Sequence, residues 1–255
     1  MPDEPRPGEQ ALSQAAAMTI STQLDEVENL DVDVRTNLLS IVQGQADSVS
    51  ITGQGLVMQK DIRVQEMELH TDSIAINPLS ALLGQIKLNE PIDATVRLVL
   101  TEEDLNRALN SDFIRNQFPS LDLNVEGQVV VLEPQKLEVF LSTARKMTAK
   151  GTVLLQENGT SRSISFLAVV CPRTLEQPLS LEAFHCTEGD GISLEFAIAL
   201  MQKAKELVNL PFIDLEGMVL RVKDLEVQEG SLTLHAEAYV REIPNFNKVD
   251  LTANS

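Results

Sequence analysis

The sequence predicts an α+β fold: an elongated, strongly curved antiparallel sheet wrapped around one or more helices. Three observations carry this. Several stretches of ten or more residues alternate apolar and polar side chains, and so exceed the usual strand of about five or six. One of them changes parity midway, as a β-bulge makes a strand do, and bulges bend and coil a sheet. Helical patterns are few, and one is apolar on nearly every side, which predicts burial on most faces.

The elements follow in order. Residues 1–8 are a Pro-rich lead with no periodicity, predicted disordered. Leu12, Ala16 and Ile20 recur at helical spacing, predicting a helix over about 9–24. Strands are predicted at about 27–35 and 46–58. Across 60–77, Ile62 and Val64 share one parity, Met67 and Leu69 the other, and Ile74 and Ile76 return to the first, which predicts a bulge. Residues 78–84 read as a short helix or turn. Ile92, Ala94, Val96, Leu98 and Leu100 alternate with Asp93, Thr95 and Arg97 as a half-buried strand.

Thr101 then supplies an N-cap, and Glu102, Glu103 and Asp104 place acids where a helix dipole favours them. That helix is expected to continue through Leu105, Ala108, Leu109 and Phe113 toward Phe118, where Pro119 stops it. An all-β stretch follows: a strand over 121–131, a turn at Glu133-Pro134, and a strand through Leu137, Val139 and Leu141. Strands at about 147–156 and 162–171 meet across Asn158-Gly159, a strong hairpin cue. After a strand near 175–186 comes the all-round apolar helix, about 193–209. Two long strands, 212–227 and 231–241, turn at Gly230.

A pseudo-repeat ties the ends together. Gly55-Leu56-Val57-Met58 and Asp61-Ile62-Arg63-Val64-Gln65 answer to Gly217-Met218-Val219-Leu220 and Asp224-Leu225-Glu226-Val227-Gln228, with one extra residue in the second copy. Each run follows a helix. The expected organisation is a lead at 1–8, one elongated domain at 9–242 with repeated halves of about 9–118 and 119–242, and a flexible tail at 243–255.

Composition removes several function classes. The chain has 255 residues, a net charge of −18 and no Trp, so the core is mainly aliphatic and nucleic acid is not an expected partner. Basic residues do gather locally: 134–173 holds Lys136, Arg145, Lys146, Lys150, Arg162 and Arg173 against Glu138 and Glu157. That segment suits either an uneven surface or contact with anionic headgroups. The N-terminus lacks a secretory signal pattern, and the longest apolar runs, 166–171 and 196–201, are far short of a membrane span. The expectation is a cytoplasmic or peripheral membrane protein.

No catalytic constellation, cofactor loop or metal ladder emerges. Gly53-Gln54-Gly55 lacks the third Gly and the strand-to-helix setting of a dinucleotide loop. Cys171 and Cys186 fit neither a disulfide framework nor a metal site, and His185 beside Cys186 has no further ligand at suitable spacing. His70 and His235 fall among polar neighbours and are expected to be exposed. No catalytic residue, cofactor or metal is therefore predicted. Met58, Met67, Met147, Met201 and Met218 are flexible and polarizable, suited to irregular cavities or simply to gap-filling.

Four segments resemble a bacterial family, the lipomannan-elongation-factor-like (LmeA-like) phospholipid-binding proteins: Ile51-Thr52-Gly53-Gln54-Gly55-Leu56-Val57, Ile86-Lys87-Leu88-Asn89-Glu90-Pro91, Leu100-Thr101-Glu102-Glu103-Asp104-Leu105-Asn106-Arg107-Ala108-Leu109 and Leu215-Glu216-Gly217-Met218-Val219-Leu220-Arg221. The likeness extends over about 10–242. It implies a tubular lipid-binding-like roll with a groove between curved sheet and helices, and phospholipid or another acyl lipid as partner. It supplies no catalytic residue. Candidates for lining such a groove are Phe113, Ile114, Phe118, Phe196, Ile198, Leu200, Met201 and Met218. Arg145, Lys146, Lys150, Arg162 and Arg173 are candidates for meeting headgroups and a membrane surface. Two further readings stand beside a non-enzymatic lipid binder or carrier: a protein-interaction module with a filled core and acidic surface, and a lipid hydrolase.

Overall fold

The computed structural model describes residues 6–37, 39–40, 43–58, 61–77, 87–117, 120–157, 159–188, 193–208, 213–215 and 217–242. Strand accounts for 60% and helix for 19%, and a strongly curled half-barrel sheet makes the fold a β-rich α+β roll, as the alternation predicts. The predicted turn or helix at 78–84 lies outside the described residues, as do residues 1–5 of the lead and the tail from 243; the lead's end is not disordered, because Pro7 and Gly8 open the first helix, where proline's fixed φ suits the first turn.

The elements are α1 (Pro7–Ser21), β1 (Asn29–Arg35), β2 (Gln45–Ala46), β3 (Ser48–Met58), β4 (Ile62–Thr71), β5 (Ile74–Ala75), β6 (Ile92–Thr101), α2 (Glu102–Leu109), α3 (Asp112–Gln117), β7 (Leu121–Val125), β8 (Gln128–Thr143), β9 (Lys146–Glu157), β10 (Thr160–Cys171), β11 (Ser180–Glu188), α4 (Leu194–Val208), β12 (Ile213–Leu215), β13 (Met218–Gln228) and β14 (Ser231–Val240). They form a seven-stranded sheet ordered β1-β3-β4-β6-β14-β13-β12, a five-stranded sheet ordered β11-β10-β9-β8-β7, and a β2–β5 pair. The chain divides into two compact units. Unit 1 is 1–99, 212–222 and 234–255; unit 2 is 100–211 and 223–233.

In unit 1, a core of Ala94, Ala238 and Val240 is flanked by Leu69, Leu88, Ile92, Val96, Met218 and Leu220. α1 is fastened to β1, an edge strand, through side chains rather than by an added strand. The Glu9 carboxylate accepts the Thr36 N–H (3.0 Å) and the Arg6 N–H (2.7 Å), and Ser13 Oγ accepts the Val34 N–H (3.0 Å). The spacing matches: four helical residues rise about 6 Å and two strand residues about 6.6 Å, so positions 9 and 13 reach 36 and 34.

Unit 2 uses the same device on a larger scale. β7 pairs with β8 only at residues 128–132, so the β8 edge beyond needs other partners. The Asn106 amide donates to Val139 O (2.8 Å) and accepts from Val139 N (2.7 Å); Asn110 does the same with Leu137 (2.6 and 3.3 Å). Glu102 accepts the Leu141 N–H (2.6 Å), and Gly230 N–H donates to Leu141 O (2.9 Å). Residues 102, 106 and 110 thus step up α2 and the turn beyond it as 141, 139 and 137 step down β8. Thr101 starts the helix as predicted, its Oγ1 accepting the Asp104 N–H at 3.1 Å.

Burial of Glu9 gives a pH prediction. Its two backbone N–H donors, that of Thr36 foremost, hold the Glu9 carboxyl below the usual Glu value. Because the folded value is lowered, the stabilisation is complete above the unfolded Glu value, about 4.3, and is lost as pH falls through the lowered one. The protection of the Thr36 N–H, its exchange rate relative to an unstructured peptide at the same pH, should fall on acidification in that window, and Glu9→Gln should remove that fall. Protection that falls equally in Glu9→Gln would contradict the assignment.

Several expectations change. The helix predicted over 101–118 is two helices, because Asn110 leaves helical geometry to bond Leu137 and Ser111 Oγ accepts the Ile114 N–H. The first strand of the all-β stretch ends at Val125: Glu126 (φ 51°) and Gly127 (φ 87°) form the two-residue turn. Glu133-Pro134 is no turn. It lies inside the sixteen-residue β8, where the ladder to β9 shifts between Pro134 and Lys136, since proline has no N–H to donate.

The parity change across 60–77 is real, but no residue is inserted. β3 and β4 keep one register from Val49↔Thr71 to Met58↔Ile62, skipping only Gly55 opposite Gln65. Gly55 has φ +57°, which rotates the strand there, and a Cβ would fall 2.3 Å from Glu28 Cδ. The repeated run takes two forms: the first copy crosses the β3–β4 turn, whereas the second is the single strand β13.

α4 is not buried on most faces. Phe196 and Ala199 are buried, but Glu195, Ile198 and Gln202 are exposed, so one stripe packs. Of the exposed residues named, only Ile198 is apolar, and it is 47% exposed. His70 is exposed as expected, its Nδ1 2.9 Å from Ser50 Oγ; His235 is half-buried.

Candidate functional site

The candidate site is one face of the five-stranded sheet in unit 2. Cross-strand pairs share a face, so the register defines it. The β9–β10 hairpin pairs Val153 with Ile164, Gly151 with Phe166, Ala149 with Ala168 and Met147 with Val170. β11 adds Cys186 opposite Phe166 and Phe184 opposite Ala168, and β8 adds Val139 opposite Ala149. From the Met147–Val170 pair to the Val153–Ile164 pair this face is apolar; the next pair sets Arg162 opposite Leu155.

Helices cover it at two places. At one end Leu123, Val130, Leu132, Leu155 and Ile164 enclose Phe196 of α4, with Leu200, Val153 and Cys186 against them. α4 touches both β7 and β11, the two edge strands, as expected where a sheet curls around a helix. At the other end Val139, Leu141, Val227 and Leu232 pack with Leu105 and Leu109 of α2 and with Met147.

Between the two clusters the sheet floor is made of small residues: Ala149, Gly151 and Ala168. Phe166 stacks on Phe184, ring centroids 5.5 Å apart, and lies over Gly151, where a Cβ would come within 2.6 Å of Phe166 Cζ. Ala149, Val153, Phe166, Val170 and Phe184 all remain partly exposed. Gly151 and Ala168 are themselves buried, so the partly exposed apolar surface lies at Ala149 and around the floor.

The predicted lining residues fall in several places. Phe196 (5% exposed) and Leu200 belong to the α4 cluster, and Ile114 is half-buried on α3. Ile198, 47% exposed, lies on the other side of α4 from Phe196. Met218 packs in the core of unit 1, not with the others. The side chains of Phe113 and Met201 and the whole of Phe118 lie outside the described residues. The floor itself, Ala149, Gly151, Phe166, Ala168 and Phe184, was not among the residues singled out.

The five basic candidates do not make one patch. Arg145 sits in the β8–β9 turn and Lys146 beside it, and Arg173 follows β10 at that same end of the sheet. Lys150 is on the opposite face of β9, paired across to Glu138; Arg162 is near the other end of β10. Lys146 Nζ binds Glu182 at 2.7 Å, which pushes the lysine up and the carboxyl down.

Burial pushes the Cys171 thiol up, assisted by its hydrogen bond to Glu182, and burial alone raises Cys186, so both stay protonated and weakly nucleophilic. No described helix is long and apolar enough to cross a membrane.

Comparison with known proteins agrees with the resemblance read from the sequence. No curated protein and no solved structure matches the chain. One family profile does, over residues 4–237, nearly the whole length. The motif segment at 100–109 now has a physical meaning: it is the N-cap, core leucines and edge-binding asparagine of α2. With its sheet-and-helix roll and its match from 4 to 237, the chain belongs to the LmeA-like phospholipid-binding family.

Proposed function

We propose that this protein binds a phospholipid or related acyl lipid non-covalently, with the acyl chains against the helix-covered face of the five-stranded sheet, and carries it to or from a membrane it touches peripherally. The supporting observation is the floor of Ala149, Gly151 and Ala168 between two helix-packed clusters, with Phe166, Val153, Val170 and Phe184 partly exposed around it. The small side chains at 149 and 168 are proposed to make room above the sheet, and aromatic and aliphatic walls suit a hydrocarbon guest. Leu200 and Ile114 are proposed at its rims. Arg145, Lys146 and Arg173, and further off Lys150 and Arg162, are proposed to face headgroups.

The driving force is ample. Each buried methylene contributes about 0.8 kcal/mol, so a sixteen-carbon chain gains roughly 12 kcal/mol before ordering costs are subtracted. Affinity for a fluorescent phospholipid should therefore rise about fourfold per added methylene until the floor is filled. Binding that does not depend on acyl length would overturn the proposal. The competing reading, an interaction module with a filled core, draws on the burial of Ala168 and Gly151.

A further inference from the structure

We propose that one end of the five-stranded sheet is a membrane-docking tip, in which Leu175 enters the interface of an anionic bilayer while Arg145 and Arg173 hold its phosphates. The inference rests on the lipid-binding reading above but is tested separately from it.

Leu175 is 78% exposed at the apex of the loop between β10 and β11. The loop is not loose. Thr174 N–H donates to Gln177 O (2.9 Å), and Thr174 Oγ1 accepts the N–H groups of Glu176 (3.3 Å) and Gln177 (3.1 Å). Pro172 and Pro178 bracket it. A rigid turn therefore presents a large apolar side chain to solvent, at no ordering cost when it enters a membrane.

Two guanidinium groups accompany it. Leu225 N–H donates to Arg173 O (2.8 Å), and Arg145 N–H donates to Val227 O (3.1 Å). Both turns are thus tied to one strand, β13, two residues or about 6.6 Å apart. Among the described residues neither guanidinium has a carboxylate partner, whereas neighbouring Lys146 is paired with Glu182. Arg145 also occupies φ +66°, a conformation in which a side chain costs about 1 kcal/mol or more and glycine nothing. A long cation at that position, at one end of this sheet in a chain carrying −18, points to an anionic partner. Glu176 on the loop tempers the local charge, so the tip needs leucine and arginines together.

The chain contains no tryptophan, so a single one reports its own surroundings. Leu175→Trp should show a blue shift of emission on mixing with phosphatidylcholine vesicles containing phosphatidylglycerol, and none with phosphatidylcholine alone. Val129→Trp, 62% exposed at the opposite end of the sheet, should not shift. On the Leu175→Trp background, Arg145→Gln and Arg173→Gln should each weaken apparent vesicle affinity about fivefold, an effect that salt abolishes. No shift at position 175, equal shifts at 175 and 129, or arginine changes without effect would each overturn the tip. Bound-lipid content, measured on the same variants, should be unchanged; a lipid-free protein whose position 175 still inserts would keep the tip and sink the carrier reading.

Discussion

Asn106→Leu combined with Asn110→Leu should destabilise unit 2 by about 4–8 kcal/mol, the largest effect expected of any surface-accessible pair in the chain. Each asparagine satisfies one N–H and one C=O of β8, at Val139 and Leu137. Leucine fits the volume but leaves four backbone groups unmet, at about 1–3 kcal/mol each where water is excluded. The sites are part-buried, so water recovers some of that, and the lower half of the range is expected. Typical domains have only 5–15 kcal/mol in total, so the double variant should unfold unit 2 near room temperature. Urea denaturation measures it. Glu103→Gln is the control: that side chain is 82% exposed, pairs at the surface with Arg107, 2.8 Å away, and should change stability by less than about 1 kcal/mol. A double variant as stable as the control would mean that the β8 edge is held by something else.

Ala149→Phe is the second. Ala149 is half-buried in the middle of the proposed lipid floor, between Val139 and Ala168. If hydrocarbon lies there, a benzyl group takes its place. The fold should then keep its stability, and affinity for acyl lipid should fall more than a hundredfold, the equivalent of roughly four methylenes displaced. A filled core predicts the reverse: overpacking would cost about 1–3 kcal/mol in folding, with no lipid binding to lose. Melting temperature and binding of a fluorescent phospholipid, measured on the same sample, separate the two.

The hairpins were the most legible part of the fold. The Asn158-Gly159 pair in the sequence predicts the hairpin, and once Glu157 faces Thr160, the pairing of Gly151 with Phe166 follows by counting. The floor could have been found that way, by noting small residues at 149, 151 and 168 on one parity. Attention to large apolar side chains instead led toward Ile198, which is exposed, and Met218, which packs in unit 1. Periodicity reports that a position is apolar, not which neighbour covers it.

The β8 strand was misread for a related reason. Proline suggested a turn, but a ladder that shifts at Pro134 tolerates its missing N–H, and the true turn lacked the usual Asn-Gly pair because Glu126 accepts φ 51°. The edge-binding spacing of Glu9 and Ser13, and of Glu102, Asn106 and Asn110, was present in the sequence. It reads as ordinary polar helix surface until a strand edge with unmet N–H and C=O groups is placed beside it.

The most direct test is to weigh the protein. Native mass spectrometry of the purified chain, followed by organic extraction, should find a mass above that of the polypeptide and release an intact phospholipid or similar acyl lipid. A mass equal to the bare chain, with nothing extracted and none taken up from vesicles, would contradict the claim that its sheet shelters hydrocarbon.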